Sequence, residues 1–240
     1  SILCVNGKIK EIGEFNVPSG AKVIDISGKY VMPGIIDAHS HIALNEINEV
    51  TSPITPQIEM TDAFIPDDYA IYNALAGGVT SAKLMHGSAN VIGGVNFTVK
   101  FKWGTSLKEM LIPGIRQQIK MALGENPKRL YGDKGREPST RPGIFALLRQ
   151  TLLDAQAYKA KWDEYNKKKA AGEEATPPKR DLKKDNLVKV LTGELGIDVH
   201  CYVANEIVVF LEIAKEFDLP VVALSHCMEG YKVRDLIAES

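Results

Sequence analysis

The chain has 240 residues, of which 45% are hydrophobic and 25% are charged, a composition typical of a folded globular protein. Its 29 basic and 30 acidic residues leave a net charge of −1, so we expect no nucleic-acid partner. Because no apolar run approaches the roughly 20 residues of a membrane span, and three cysteines are too few for a disulfide framework, we expect a reduced, cytoplasmic protein with no membrane partner.

Residues 1–31 predict a small β portion that precedes the main domain. The dipeptide Asn6-Gly7 separates two short apolar runs and is well suited to the type I′ turn of a hairpin. A third strand is predicted at residues 23–26, with glycines on either side. We therefore divide the chain into a β portion, residues 1–31, and a second domain, residues 32–240.

The second domain alternates predicted strands with predicted helices. Strands are predicted at residues 35–39, 79–85, 119–123, 196–200 and 221–225, and helices at 70–75, 205–217 and 229–239. This alternation of strands and helices predicts βα units and a parallel sheet. Residues 150–185 are rich in lysine, glutamate and alanine, and they predict a helical insertion that projects as a hairpin or lid with a solvated face.

Two histidines follow the first of these βα strands. His39 and His41 are two residues apart, so in an extended strand their rings point the same way, roughly 7 Å apart. Two imidazoles on one face can share a divalent metal ion, although two unrelated histidines would give the same spacing. Asp37 lies two residues earlier on the same face and is a candidate for the carboxylate that orients an imidazole.

Two further histidines end later strands. His200 and His226 each stand just before a predicted helix. Because the C-terminal ends of parallel βα strands open onto one face, all four imidazoles should meet there, which favours a metal site. Cys201 and Cys227 each follow one of these histidines. Strand alternation turns them away from the site, so we expect a small buried apolar role for both.

Two residues are candidates for the acidic ligand of the predicted site. Glu125 follows the strand predicted at 119–123 and is a candidate metal ligand, or a bridge between two ions. Lys120 is the rival, since a carboxylated lysine can also bridge, but it lies deeper in the strand. An ordinary surface carboxylate at a helix start is the third interpretation of Glu125.

A glycine-rich segment follows the second βα strand. It contains His86, Asn90 and the pair Gly93-Gly94, but it lacks the Gly-Lys-Ser/Thr of a nucleotide-binding loop. We interpret it as a flexible substrate loop, with His86 and Asn90 as candidate substrate-binding residues. His86 could equally well cap the strand.

Taken together, these motifs resemble a known family. The run Val-Met-Pro-Gly-Ile-Ile-Asp-Ala-His-Ser-His at 31–41 resembles the first-strand signature of the amidohydrolase superfamily, and His200 and His226 resemble its fifth- and sixth-strand histidines. The segments 87–94 and 122–129 resemble the imidazolonepropionase-related branch. The resemblance implies a (β/α)8 TIM-type barrel with a small β-sandwich, one or two divalent metal ions, and hydrolysis of an amide or cyclic C–N bond.

The sequence departs from this pattern in two places. The family's eighth-strand aspartate, its general base, has no counterpart here, so we expect the barrel to be incomplete at the C-terminus and the sequence to be a piece of a longer one. On the fifth strand, Tyr202 stands where the branch often carries a second histidine. Activity of this chain alone is therefore in doubt.

The resemblance gives each candidate a role. His39, His41 and His200, with Glu125, would hold the ion, and His226 would be a further ligand or polarise the substrate carbonyl. Tyr202 is two residues from His200 and so on the same face of the strand, where it could hydrogen-bond a developing oxyanion. Zinc is expected first, with iron, manganese or nickel as alternatives. The substrate would be a small or dipeptide-like molecule. A non-catalytic metal- or ligand-binding barrel and a deaminase or isomerase remain alternatives, and a homo-oligomer is left open.

Overall fold

A computed structural model describes all 240 residues and divides them into two units, Ser1–Pro33 and Gly34–Ser240. In the first unit, β1 (Ile2–Val5) pairs antiparallel with β2 (Lys8–Ile12). The turn residues Asn6 and Gly7 have φ angles of 52° and 73°. Positive φ at both positions is what a type I′ turn requires, so the predicted hairpin is confirmed.

The rest of the first unit differs from the sequence prediction. Residues 23–26 form no strand, so the predicted third strand is wrong. An isolated apolar run needs a neighbouring strand to satisfy its backbone, and in this unit the only sheet is the two-stranded hairpin. The β-sandwich therefore stays a prediction.

The second unit is built on one six-stranded sheet in the order β3-β4-β5-β6-β7-β8. The strands are β3 (Ile35–Ser40), β4 (Val79–Leu84), β5 (Ile92–Lys100), β6 (Gln118–Ala122), β7 (Gly196–Cys201) and β8 (Val221–His226). The sheet is curled into part of a barrel. Side chains of its two edge strands are in contact, since His39 Nδ1 on β3 lies 3.2 Å from Ser225 Oγ on β8.

The sheet is mixed rather than parallel throughout. β3 pairs parallel with β4, and β6, β7 and β8 run parallel to one another, but β5 is antiparallel to both of its neighbours. Only residues 85–91 separate β4 from β5. A parallel crossover needs about a dozen residues or more, so this short connection can only return the chain antiparallel. The prediction of a fully parallel sheet is corrected in this respect.

Seven helices accompany the sheet. They are α1 (Tyr69–Ala76), α2 (Leu107–Met110), α3 (Glu125–Gly132), α4 (Arg141–Ala170), α5 (Leu182–Leu191), α6 (Ala204–Glu216) and α7 (Arg234–Glu239). Short 3-10 turns occur at Met60–Ala63 and Gly230–Val233. No helix has the length and apolar content needed to cross a membrane.

Successive side chains of the buried strands point alternately to the apolar core and to the interior of the curled sheet. On β7, Ile197, Val199 and Cys201 join the apolar cluster formed with α4, α5 and α6. The intervening residues Asp198 and His200 are equally buried but polar, because they point to the opposite face of the strand. The curled sheet thus has an apolar outside covered by helices and a polar inside that carries titratable groups.

The predicted helical insertion contains most of α4 and the start of α5. The first half of α4 is buried, with Leu148, Leu152 and Ala155 packed in the core. Beyond Tyr158 the helix is solvated, and it carries i,i+4 ion pairs such as Lys159–Asp163. The segment is therefore anchored at its base and exposed along its remainder.

Candidate active site

The imidazole rings of four histidines form one continuous cluster. The ring centroid of His39 lies 5.2 Å from that of His41 and 4.9 Å from that of His226. The rings of His226 and His200 are 4.7 Å apart. These residues lie in or just after the C-terminal ends of β3, β7 and β8, the end of the strands at which βα barrels carry their active sites.

Hydrogen bonding fixes the orientation of one ring directly. His41 Nδ1 lies 2.8 Å from the backbone oxygen of Met85, at the end of β4. A carbonyl oxygen can only accept, so His41 Nδ1 carries a hydrogen, and in the neutral form of this ring the lone pair lies on Nε2. A neutral imidazole with a free Nε2 can bind a metal ion.

The end of β8 has an unusual backbone. His226 and Cys227 both have positive φ, 64° and 42°. Two consecutive non-glycine residues in this left-handed region are strained, and such strain is concentrated at functional sites. The sharp turn brings the exposed His226 ring against both His39 and His200.

His200 is the most buried ring of the cluster, with an exposed fraction of 1%. Its Nε2 lies 3.4 Å from Asn126 Nδ2, and the Tyr202 ring packs 4.4 Å away. Its Nδ1 is buried without a hydrogen-bond partner. Buried polar atoms are nearly always satisfied, so this nitrogen is suited to bind an ion or a water.

The cluster favours uncharged imidazoles. Burial, the cation of Lys120 and the neighbouring His41 lower the pKa of His39 from 6.5 to about 4. Burial, His226 and Lys120 likewise lower the pKa of His200 to about 4. Burial also lowers the pKa of His226, with Lys120 acting in the same direction. Neutral imidazole is the form that ligates metal ions.

The side chains of the cluster offer nitrogen donors to a divalent ion. As the side chains stand, no three His, Cys, Asp or Glu residues form a group that could hold a metal ion. The ring contacts nevertheless place four imidazoles side by side, and the ring of His226, which makes no hydrogen bond, can turn about its broad χ2 torsion at little cost. With lowered pKa values for His39, His200 and His226, an Nε2 on His41 that makes no hydrogen bond, and a buried Nδ1 on His200 without a partner, the chemistry of these residues fits such an ion.

Asp37 and Glu125 do not contact these rings. Asp37 Oδ1 accepts a hydrogen bond from the backbone N–H of His39 at 3.1 Å, so it braces the strand rather than the imidazole. The Glu125 side chain is 39% exposed, and its carboxylate pairs with Lys128 and Arg141, each at 3.2 Å. Its neighbour Asn126 makes the contact with the cluster, because the first turn of α3 directs the two side chains differently.

His86 is a packed residue. It is fully buried; its Nδ1 lies 2.9 Å from the oxygen of Gly87, and its Nε2 accepts from the backbone N–H of Glu49. A Cβ added at Gly93 would lie only 2.5 Å from His86 Nδ1. The glycine therefore allows the backbone to approach the ring. In place of the expected flexible loop, the structure has a buried segment in which both ring nitrogens of His86 are occupied.

Asn90 anchors the same segment. It is fully buried, and its Nδ2 contacts the oxygens of Glu49 and Ser52 and the hydroxyl of Thr55. These contacts tie the segment to residues 49–55. Neither His86 nor Asn90 is open to a substrate in this structure.

A buried charge network beside the cluster was not recognised in the sequence. Asp198 Oδ1 lies 2.6 Å from Ser225 Oγ and 3.4 Å from Lys120 Nζ, and Lys83 forms a second, closer ion pair with the carboxylate. Burial alone would raise the pKa of Asp198, but Lys120, Lys83 and Ser225 together hold it below its ordinary value. Asp198 stands two residues before His200, so the two side chains share a face of the strand, and this spacing could have predicted a carboxylate beside the site.

The cysteines are placed as predicted, away from the ring cluster and towards the helices. Cys201 is fully buried in the apolar core, and burial, with Cys227 beside it, raises the pKa of its thiol to about 12. Cys227 is half-buried and packs against the same core.

Comparisons with known proteins identify the family. No protein-family model matches the chain. It is 30% identical over 246 aligned positions to the amidohydrolase TasK of Hapsidospora irregularis, covering 92% of this chain and 25% of that protein. A crystal structure of an amidohydrolase from Thermotoga maritima matches with a TM-score of 0.89 and 37% identity, over 99% of this chain and 62% of that one. The chain belongs to the amidohydrolase superfamily.

Shorter stretches match other members of the amidohydrolase superfamily. A dihydroorotase of Trichlorobacter lovleyi is 38% identical over 85 residues, covering 35% of this chain and 17% of that protein. An adenine deaminase of Kosmotoga olearia is 38% identical over 68 residues, covering 28% and 11%. The chain thus spans about a quarter of TasK and less of these two. Superfamily members generally use divalent metals. The narrower resemblance to the imidazolonepropionase-related branch stays a prediction.

Proposed function

We propose that the protein hydrolyses an amide or cyclic C–N bond of a small or dipeptide-like molecule, using water activated by a divalent metal ion held at the histidine cluster. One observation carries this proposal: rings from three separate strands lie within 4.7–5.2 Å of their neighbours at the C-terminal end of the sheet. The names amidohydrolase and adenine deaminase, carried by relatives of this chain, both describe cleavage of a C–N bond.

His39, His41 and His200 would hold the ion. His41 offers a free Nε2, and His200 offers a buried nitrogen with no protein partner. A bound divalent ion supplies a water whose pKa is lowered towards about 7 and polarises a carbonyl oxygen. Zinc is the first choice for imidazole ligands, with iron, manganese or nickel as alternatives, and one or two ions could be held.

The other residues at the cluster would act on the substrate. His226 is exposed, so it can serve as a further ligand or donate to the substrate carbonyl. Tyr202 is half-buried with its ring 4.4 Å from His200 and 5.6 Å from His226, and its hydroxyl could donate to a developing oxyanion. Asn126 is exposed beside His200 and is a further candidate for substrate contact.

Metal binding and turnover test the proposal in the full-length protein. Zinc affinity, measured by chelator competition, should fall by about 100-fold or more in His39→Ala and His200→Ala, because each loses a ligand. Cys4→Ser, which changes an exposed residue of the first unit, is the matched control. Equal zinc affinity in all four proteins would overturn the proposal.

Turnover is measured on a panel of N-acyl amino acids, dipeptides and cyclic amides. Hydrolysis that is lost on chelation and restored by metal supports the proposed enzyme. Tight metal binding without hydrolysis of any C–N bond would favour the alternative, a metal- or ligand-binding barrel. A cytoplasmic location and a homo-oligomeric state stay predictions.

A further inference from the structure

Asp198 is a buried carboxylate between two cations. It lies on β7 with an exposed fraction of 1%, and it pairs with Lys83 from β4 and Lys120 from β6. Lys120 is itself fully buried. Two ammonium groups at this distance keep the carboxylate ionised, and an ionised carboxylate can only accept hydrogen bonds.

The hydroxyl of Ser225 links this carboxylate to the histidine cluster. Ser225 Oγ donates to Asp198 Oδ1 over 2.6 Å, and the same oxygen lies 3.2 Å from His39 Nδ1. A serine has one hydroxyl hydrogen, and Asp198 already takes it. Towards His39, Ser225 can therefore act only as an acceptor.

The direction of these bonds determines which nitrogen of His39 carries the proton. Because Ser225 can only accept, Nδ1 must donate, and the lone pair of the neutral ring is left on Nε2. His41 reaches the same state through a different partner, the backbone oxygen of Met85. Both histidines at the C-terminal end of β3 then present Nε2.

We infer that Asp198 and Ser225 are positioning residues, a relay that holds His39 in the Nδ1–H tautomer and so directs its Nε2 towards the site. The consequence for metal affinity rests on the proposed function, but the tautomer itself does not. A plain structural role for the ion pairs on Asp198 would leave the state of His39 unconstrained.

The variant that isolates the relay is Ser225→Ala. It removes the link to His39 and keeps the ion pairs of Asp198 with both lysines. Substituting Asp198 itself is less informative, since it would leave two buried cations without their partner. Ser225→Thr keeps a hydroxyl and should restore the relay, and Ser81→Ala, on β4 and without a side-chain hydrogen bond, is the matched control.

The experiment uses full-length protein labelled with 15N-histidine, freed of metal with a chelator, and examined by NMR near neutral pH. We expect His39 in the Nδ1–H tautomer in the wild type, in Ser225→Thr and in Ser81→Ala, and in a mixture of tautomers in Ser225→Ala. Zinc affinity should fall by about 10- to 100-fold in Ser225→Ala alone. Melting temperatures check that all four proteins are folded.

Imidazole shifts of His39 and zinc affinity that are unchanged in a folded Ser225→Ala would overturn the inference. If the wild type binds no zinc, the proposed function fails, while the tautomer comparison in metal-free protein still decides for or against the relay. The two failures are thus distinguishable.

Discussion

The rings of His39 and His226 lie 4.9 Å apart although they belong to the two edge strands of the open sheet, β3 and β8. Strands that are not neighbours in a flat sheet cannot bring side chains this close, so the contact measures how far the sheet curls. The same curl brings Ser225 to His39. The histidine cluster therefore depends on the closure of the sheet as well as on the positions of histidines in the sequence.

Gly93→Ala should destabilise the protein, by about 1–3 kcal/mol, because the new methyl group would overlap the buried ring of His86. Gly77→Ala is the control, since a Cβ there makes only ordinary contacts of 3.5 Å. Urea denaturation monitored by circular dichroism gives the free energies of unfolding. Equal stability of the two variants would contradict the packing described for this segment.

Stability should fall as the pH is lowered through the range from 6.5 to about 4 in metal-free protein. The pKa of His39 and His200 lies near 4 in the folded state and near 6.5 when unfolded, so between these values the unfolded chain binds more protons. His200→Gln should reduce the slope of unfolding free energy against pH by up to about 1.4 kcal/mol per pH unit. An unchanged slope in that variant would show that folding does not lower the pKa of His200.

Tyr158→Phe should lower the free energy of unfolding by about 1 kcal/mol, because it weakens the contact between α4 and the start of α5. The Tyr158 hydroxyl donates to Asp185 Oδ1 over 2.8 Å and accepts from the backbone N–H of Asp181 over 3.2 Å, so it joins α4 to the start of α5. Tyr165→Phe, further along α4 and without a hydroxyl hydrogen bond, is the control. Comparable melting temperatures for both variants would refute this role.

Glu125→Gln distinguishes a metal-binding role of that carboxylate from the role of an ordinary surface carboxylate. In the structure it pairs with Lys128 and Arg141, so we expect zinc affinity close to that of the wild type. Arg141→Gln, which removes one of those partners, is the comparison. A loss of about 10-fold or more in Glu125→Gln alone would instead make Glu125 a ligand.

Much of the fold could be predicted from local patterns. The strands at β3, β7 and β8 follow from short apolar runs bounded by glycine or proline, and α6 follows from its helical periodicity. β5 is not predicted from local patterns because its first residues are glycine-rich, which is typical of a loop. The alternation of Val95, Phe97 and Val99 with polar residues was the available signal.

The site was only partly accessible from the sequence. Strand alternation is enough to predict that His39 and His41 share a face, but it says nothing about hydrogen bonds between distant strands. Ser225 and His39 are 186 positions apart, and their contact exists only because the sheet curls. Likewise, the contact of Asn126, rather than Glu125, with His200 depends on how α3 begins, a detail that spacing does not encode.

The most direct test of the central claim is a crystal structure of the full-length protein grown with zinc, with diffraction recorded on both sides of the zinc absorption edge. The proposed function predicts an anomalous peak within bonding distance of ring nitrogens from His39, His41 and His200. A zinc-dependent hydrolase whose only anomalous peak lies elsewhere, with these imidazoles unligated, would contradict it.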